Sequence, residues 1–349
     1  KAATKELIDK LVVGVTDENE WVRGSAWNAV RALGEKAATK EVIDNLVVGV
    51  TDENEWVRSC AWDAVKALGE KAITKKVIDK LVVGVTDGDA KVRSSTWNAV
   101  KALGEKAAIK EVIDKLVVGV TDECRSVRSS AWDAIETLGE KAAKKELIDK
   151  LVVGVTDGDA KVRSSTWNAV KALGEKAATK EVIDKWVVGV TDKDECVKCS
   201  AWNAIEALDE KAITKEVIVK WLELTLNDSE RHGWYKWTNM ERVMNSCLEE
   251  VDPELLYACY MKQKGFDILA CVSIDQLFNI WFRTNNCHWL SMIVCLLLRS
   301  AGAVVFREEK VVVYETKEPI ELPIPSVDLR ERLKKILTDK RKKLRLCFD

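Results

Sequence analysis

The chain has 349 residues, of which 32% are charged and 47% hydrophobic, and its formal net charge is -2. That near-neutral balance supplies no bulk field of the kind that gathers nucleic acid or acidic lipid, so no nucleic-acid partner is expected. The longest apolar run, Trp289–Leu298, is too short to span a bilayer, and no segment reads as a secretory signal. Ten cysteines without a dense framework fit thiols in a reducing compartment, so a cytoplasmic location is expected.

From the first residue onward, nearly the same stretch recurs with a fixed period. Copies begin at Lys1, Lys36, Lys71, Lys106, Lys141 and Lys176, and a seventh starts at Lys211 and fades. Trp27, Trp62, Trp97, Trp132, Trp167 and Trp202 fall on one repeat position, so the register never slips. A fixed period of this size signals stacked supersecondary units, each of which buries its apolar face against its neighbours. The expected domains are a repeat array over 1–226 and a C-terminal region over 227–349. The first residue is Lys, and the first copy is as apolar as the middle ones, which predicts the C-terminal piece of a longer protein.

Within the first copy, Leu7, Ile8, Leu11, Val12 and Val15 recur at helical spacing, with Thr4 at the N-cap position and Glu6 in the first turn. The run LVVGV has the length of a strand, but its apolar positions continue the helical set. Thr39, Thr74, Thr179 and Thr214 repeat the cap, whereas Ile109 and Lys144 replace it, which predicts weaker helix starts there by roughly 0.5–2 kcal/mol. After a turn at Thr16–Asp17, Val22, Ala26, Ala29, Val30 and Leu33 mark a second amphipathic helix that Gly34 ends. Gly69, Gly104, Gly139 and Gly174 repeat this stop, and Asp209 replaces it. Each unit therefore reads as a helical hairpin.

An Asp turn followed by Val-Arg and an Ala-rich helix resembles the HEAT-like repeats, particularly the short type of phycobilisome-lyase-related proteins. The matching residues are Asp17, Val22, Arg23, Ala26, Ala29, Val30, Leu33 and Gly34, with their equivalents over roughly Lys1–Leu226. The Trp departs from the family pattern, in which that position is small. The resemblance implies an all-α armadillo-like superhelix of about six to seven hairpins, with the second helices lining its concave surface. It also implies a ladder in which a turn Asp of one unit pairs with an Arg of the adjacent unit. Such pairs are expected to be partly exposed and to contribute little individually. Lys198 replaces Arg in the sixth copy.

Comparing copies separates packing from surface. The turn before the second helix varies most: Glu18–Trp21, Glu53–Trp56, Gly88–Lys91, Glu123–Ser126, Gly158–Lys161 and Lys193–Cys196. On a helical wheel Trp21, Ser25 and Asn28 lie opposite the core. The partner-binding candidates are Trp21, Ser25, Asn28, Trp56, Asp63, Lys91, Asn98, Ser126, Lys161 and Asn168, with exposed Trp21 and Trp56 as the main anchors. Loop drift is the other reading of this variation. For the invariant Trp27 series, stacking between neighbours is favoured over a binding stripe.

Signals for catalysis are sparse. Cys196 and Cys199 have redox or zinc spacing, but no second pair stands at ligand distance in sequence. Deoxyhypusine hydroxylases, one enzymatic branch of the HEAT class, use several His-Glu pairs, and this chain has only His232 and His288. No glycine-rich phosphate loop and no Gly-x-Ser-x-Gly occurs. Neither enzymatic activity nor a cofactor or metal is expected, with a hydroxylase or a tetrapyrrole lyase as the alternative class.

The C-terminal region reads as a mainly helical cap, or equally a small separate domain. Its helices are expected at Met240–Glu250, Pro253–Lys262, Ile274–Arg283 and His288–Ser300. A three-stranded meander is expected at Ala303–Arg307, Val311–Tyr314 and Ile320–Ile324, turning at Glu308–Glu309. A final amphipathic helix is expected over Val327–Leu344, its basic side made of Lys334, Lys335, Lys340, Arg341, Lys342, Lys343 and Arg345, read as a solvated face or a basic contact patch. The functional expectation is a non-enzymatic protein-binding scaffold or adaptor, set within a larger multidomain protein such as a nucleotide-driven signalling ATPase.

Overall fold

The computed structural model describes residues 5–208, 217, 219, 274–286, 288–290, 292–294, 303–306, 310–314, 319–323, 331–335, 338 and 345–348. Two compact units divide at Ala212, the first being Lys1–Ala212 and the second Ile213–Asp349. The boundary expected at Leu226 lies outside the described residues, as do Thr4, Thr214, Asp209, the helices expected at Met240–Glu250 and Pro253–Lys262, and the turn at Glu308–Glu309.

In the first unit the described residues form six helical hairpins. Their helices are α1 Lys5–Gly14, α2 Glu20–Leu33, α3 Lys40–Gly49, α4 Glu55–Leu68, α5 Lys75–Gly84, α6 Ala90–Leu103, α7 Lys110–Val120, α8 Arg125–Leu138, α9 Lys145–Val155, α10 Ala160–Leu173, α11 Lys180–Val190 and α12 Glu195–Ala207. The expected first-helix caps are present: the hydroxyls of Thr39, Thr74 and Thr179 accept the backbone N–H three residues on, at 3.4, 3.2 and 3.3 Å. Ile109 and Lys144 occupy the same N-cap position and make no such bond.

Each of the first five second helices ends at a glycine with φ near +56° to +59°, and at Gly34 ψ is -139°. That region is accessible essentially only to glycine, because a Cβ there would meet the backbone. The backbone then makes one short 3-10 turn, Gly34–Ala37 in the first hairpin, which buries Ala37 and aims the next first helix back along the stack.

The joint between hairpins is a tryptophan in a glycine slot. Trp27, Trp62, Trp97, Trp132 and Trp167 are 0–1% exposed. A Cβ built on Gly49 would lie 2.6 Å from the Trp27 indole, and on Gly119 it would lie 2.8 Å from that of Trp97. The same holds at Gly84, Gly154 and Gly189 for Trp62, Trp132 and Trp167. The glycine inside LVVGV, which costs a helix about 0.5–1 kcal/mol relative to Ala, thus admits the indole of the preceding hairpin. Burying ~150–250 Å² per ring at ~25 cal/mol/Å² contributes roughly 4–6 kcal/mol. The five indole N–H groups find no acceptor there, which takes back about 1–3 kcal/mol each. Trp202 departs from the series: it is half-buried and meets Trp186 edge to face at 4.9 Å, Trp186 standing where earlier copies have Leu.

In the first hairpin the apolar face is only partly covered. Ile8, Leu11 and Val15 are buried, whereas Leu7 and Val22 are 41% and 43% exposed. Their equivalents from the second hairpin on, such as Val42 and Val57, are fully buried, because a preceding hairpin lies over them.

The second unit is mixed rather than all-helical. Helix α13 spans Ile274–Thr284, with Leu277, Phe278, Ile280 and Trp281 buried, and short helical stretches lie at 288–290, 292–294 and 331–335. The expected meander is corrected to a four-stranded sheet of order β3-β2-β1-β4, in which β1 is Ala303–Phe306, β2 Lys310–Tyr314, β3 Pro319–Pro323 and β4 Arg345–Phe348. Strands β1, β2 and β3 pair antiparallel in succession, while β4 pairs parallel with β1. Arg345 therefore belongs to a strand and not to the basic face of the closing helix. The parallel partner was invisible because a lone apolar alternation after a basic run carries no sign of which distant strand it joins. Lys334 meets Glu331 at 3.6 Å, and Lys340, Arg341, Lys342 and Lys343 lie outside the described residues.

Candidate partner-binding face

The second helices are held in register by the turns that precede them. In each of the first five hairpins an Arg near the start of the second helix reaches the turn Asp of the next hairpin with both Nε and Nη2. Arg23 donates to the Asp52 carboxylate at 2.8 and 3.0 Å, and Arg93 to that of Asp122 at 2.7 and 2.9 Å. Arg58–Asp87, Arg128–Asp157 and Arg163–Asp192 repeat the geometry. Nη1 of Arg23 also donates to the carbonyls of Asp17 and Glu18 in its own turn, at 2.9 and 2.8 Å. The same Asp carboxylates accept the backbone N–H two residues on, as Asp52 does from Asn54 at 3.0 Å.

These pairs were expected to be partly exposed and to contribute little individually. Their side chains are instead only 7–20% exposed, and each guanidinium is bonded on several sides. Hydrogen bonding to the partner Asp raises each of the five Arg pKa values. At Asp192 burial pushes the carboxyl up, but bonds from Arg163 and the Asp194 backbone outweigh it and hold it below its ordinary value. In the sixth hairpin Lys198 instead meets Glu195 of its own helix at 2.9 Å.

The variable turn also does fixed work. Asn19, Asn54, Asp89, Asp159 and Asp194 cap the second helices, each accepting the N–H two residues on. Cys124 alone has no capping bond. The side chain just after the cap region is what remains free to vary: Trp21, Lys91, Ser126, Lys161 and Cys196 are exposed, and Trp56 is half-buried.

The expected contact residues divide into three groups. Trp21 is 67% exposed, and its ring lies 5.1 Å from that of Trp56 at an interplanar angle of 46°. Trp56 is not the free anchor expected, because its ring lies on Gly24, where a Cβ would approach within 2.2 Å. Asn28, Asp63, Asn98 and Asn168 are half-buried and sit between second helices. Asn28 donates to the Cys60 sulfur at 3.3 Å, Asp63 accepts from Arg31 at 3.1 Å, and Asn98 donates to the Ser130 hydroxyl at 3.2 Å. Lys91, Ser126 and Lys161 are the exposed group, and the Ser126 carbonyl accepts from Ser94 at 3.3 Å.

Ser25 was assigned to the same face and is exposed, but its repeat position is a packing position. Its equivalents Cys60, Ser95, Ser130, Ser165 and Ser200 are only 4–7% exposed. Hydroxyl pairs cross the joint there: Ser59–Ser95 at 3.2 Å, Ser94–Ser130 at 3.0 Å and Ser164–Ser200 at 2.9 Å. Small side chains let the second helices approach closely, and these helices touch along their length while the first helices touch sparsely. The repeated Ser-Ser dipeptide was the available signal; read one copy at a time, small and polar means surface.

On the other row, reasoning from periodicity missed a feature. Val13, Val48, Val83, Val118, Val153 and Val188 are 49–69% exposed, one per hairpin on the first helices. Beside them run the exposed carboxylates Asp9, Asp44, Asp79, Asp114, Asp149 and Asp184, of which Asp114 pairs with Lys144. Cys196 is exposed and Cys199 half-buried. Among the described residues no group of three or more His, Cys, Asp or Glu converges as a metal-ligand set. His288 is half-buried, and its backbone N–H bonds Asn286 at 2.8 Å; His232 lies outside the described residues. No helix among them is long and apolar enough to cross a membrane.

The family model for HEAT repeats matches residues 4–98. No curated protein matches the chain. Among solved structures, an engineered protein aligns with a TM-score of 0.51 at 20% identity, over 58% of this chain and 97% of its own. A designed armadillo repeat protein aligns at 0.46 and 18% identity, over 58% of this chain and 100% of its own. A structure concerned with the interaction between cadherin and beta-catenin aligns at 0.48 and 13% identity, over 83% of this chain and 60% of its own. The first of these likenesses is one of fold alone, and the other two add no weight. The family match gives residues 4–98 as HEAT repeats, and the hairpins, the Asp–Arg ladder and the glycine stops carry the same HEAT-like pattern on through the described array.

Proposed function

We propose that the array is a non-enzymatic protein-binding scaffold or adaptor that engages its partner through the second-helix row. One observation carries this reading: a rigidly pinned row varies most where side chains reach solvent. Trp21, Lys91, Ser126, Lys161 and Cys196 project from equivalent places, while the ladder, the caps and the serine pairs beneath them repeat. The denser contact between second helices supports an inner, concave position for that row, where an extended partner would meet several hairpins at once. An exposed tryptophan on such a row is the residue type that dominates protein interfaces.

Affinity capture with the purified chain, followed by Trp21→Ala with Trp56→Ala, tests the reading. Loss of partner recovery with an unchanged circular dichroism spectrum is the expected result. Unchanged recovery contradicts it, and stoichiometric iron in the purified protein would replace the scaffold reading with an enzymatic one.

A further inference from the structure

The second-helix row is not uniform in charge or chemistry. In the first two hairpins the tryptophans are each preceded by glutamates, Glu18 and Glu20 before Trp21, and Glu53 and Glu55 before Trp56. The same positions in the third and fifth hairpins read Gly88, Ala90, Lys91 and Gly158, Ala160, Lys161, and the fourth carries Arg125. The first two turns are therefore aromatic and carry two glutamates each, whereas Gly88–Lys91, Glu123–Ser126 and Gly158–Lys161 each balance one acidic residue against one basic.

The aromatic end is also built, in that its parts depend on one another. Gly24 stands where the next four copies have Ser59, Ser94, Ser129 and Ser164, and a side chain there would strike the Trp56 ring. With Trp56 seated on Gly24, the Trp21 ring leans over it at 46°, still two-thirds exposed. The nearby guanidinium of Arg23 is engaged by Asp52 and by the Asp17 and Glu18 carbonyls. Glu53 is 93% exposed and lies 4.0 Å from Arg23, while Glu18, Glu20 and Glu55 make no salt bridge among the described residues. Two indole faces and four glutamates in the same two turns match one chemistry, that of an organic cation.

We propose that the Trp21–Trp56 pair, with Glu18, Glu20, Glu53 and Glu55, is a seat for a lysine or arginine side chain of an extended partner segment. The inference rests on the second-helix row being the binding face and adds the chemistry of what binds at its aromatic end. A cation there lies against ring faces that favour positive charge and gains the field of the carboxylates. An acidic side chain meets four like charges and is turned away from this end.

Fluorescence anisotropy of a labelled octa-lysine peptide tests the proposal, with its fully acetylated form as the neutral probe. Wild-type protein is expected to bind the first and not the second. Trp21→Ala with Trp56→Ala should weaken binding roughly tenfold, as should Glu18→Gln, Glu20→Gln, Glu53→Gln and Glu55→Gln combined. The charge-matched control, Asp44→Asn, Asp79→Asn, Asp149→Asn and Asp184→Asn on the first helices, should bind as wild type does. Equal loss in that control, or equal binding of the acetylated peptide, overturns the proposal, since bulk charge or apolar contact then explains the affinity. If the tryptophan variant loses partner capture but keeps octa-lysine binding, the cation seat is wrong and the binding face stands. If neither assay responds to the tryptophans, both readings fall.

Discussion

Hairpins one and two share the tryptophan slots and the Asp–Arg ladder with hairpins three to five, yet present a different surface. Trp27 and Trp97 are equally buried, and Arg23 and Arg93 grip the next Asp with the same pair of bonds. Above that frame one pair carries glutamates and tryptophans and the other group carries Gly, Ala and Lys. The cap changes from Asn19 and Asn54 to Asp89 and Asp159 without changing its bonds. The tryptophan and Asp–Arg contacts to the neighbouring hairpin are held fixed, and side chains that reach water are free to specify a partner.

The widest separation between frame and surface is expected at two glycines. Gly119→Leu forces a side chain into the Trp97 ring, where overpacking typically costs ~1–3 kcal/mol and more when backbone must shift. Denaturant unfolding should show a large drop in midpoint, whereas Gly88→Ala, with nothing within 4 Å of the new Cβ, should stay within about 0.5 kcal/mol of wild type. Equal effects at the two positions would remove the slot from the account. Trp97→Ala should cost about 3–5 kcal/mol through the cavity it leaves. Trp97→Phe should cost less, because it also removes an indole N–H that has no acceptor.

The ladder comes next. Asp122→Asn leaves the Arg93 charge largely buried and should cost about 3 kcal/mol in thermal or chemical unfolding. Its pH signature follows from Asp192, whose carboxyl is depressed in the folded state. A depressed acid stabilises the fold above its unfolded pKa of about 4, and that stability is lost as pH falls through the lower folded value. Stability should therefore decline on acidification below about pH 4, and Asp192→Asn should flatten that decline. The smallest effects are gains: Ile109→Thr and Cys124→Asn supply missing caps and should each add about 0.5–2 kcal/mol, read as a raised melting temperature.

Much of this frame was legible from residues. Thr39 and Gly34 marked helix ends, the fixed register of Trp27 marked the joint, and Asp17 with Arg23 marked the ladder. Whatever depends on the distance between neighbouring helices was not legible. Ser25 read as surface because serine is polar, yet its equivalents are small so that helices can meet. Trp56 read as exposed because the wheel turns it outward, and only the missing side chain of Gly24 reveals where the ring rests. Val13 and Val12 are neighbours of one type, and helix rotation alone decides that Val13 faces water.

The account turns on which of the two helix rows meets a partner. A photo-crosslinking residue placed at position 91 on the second-helix row, and in a parallel protein at position 83 on the first-helix row, reads this directly, since Lys91 and Val83 are both exposed. Crosslinks to the bound partner from position 91 and not from position 83 are predicted. Crosslinks from position 83 alone would place the partner on the valine row and contradict the assignment of the binding face.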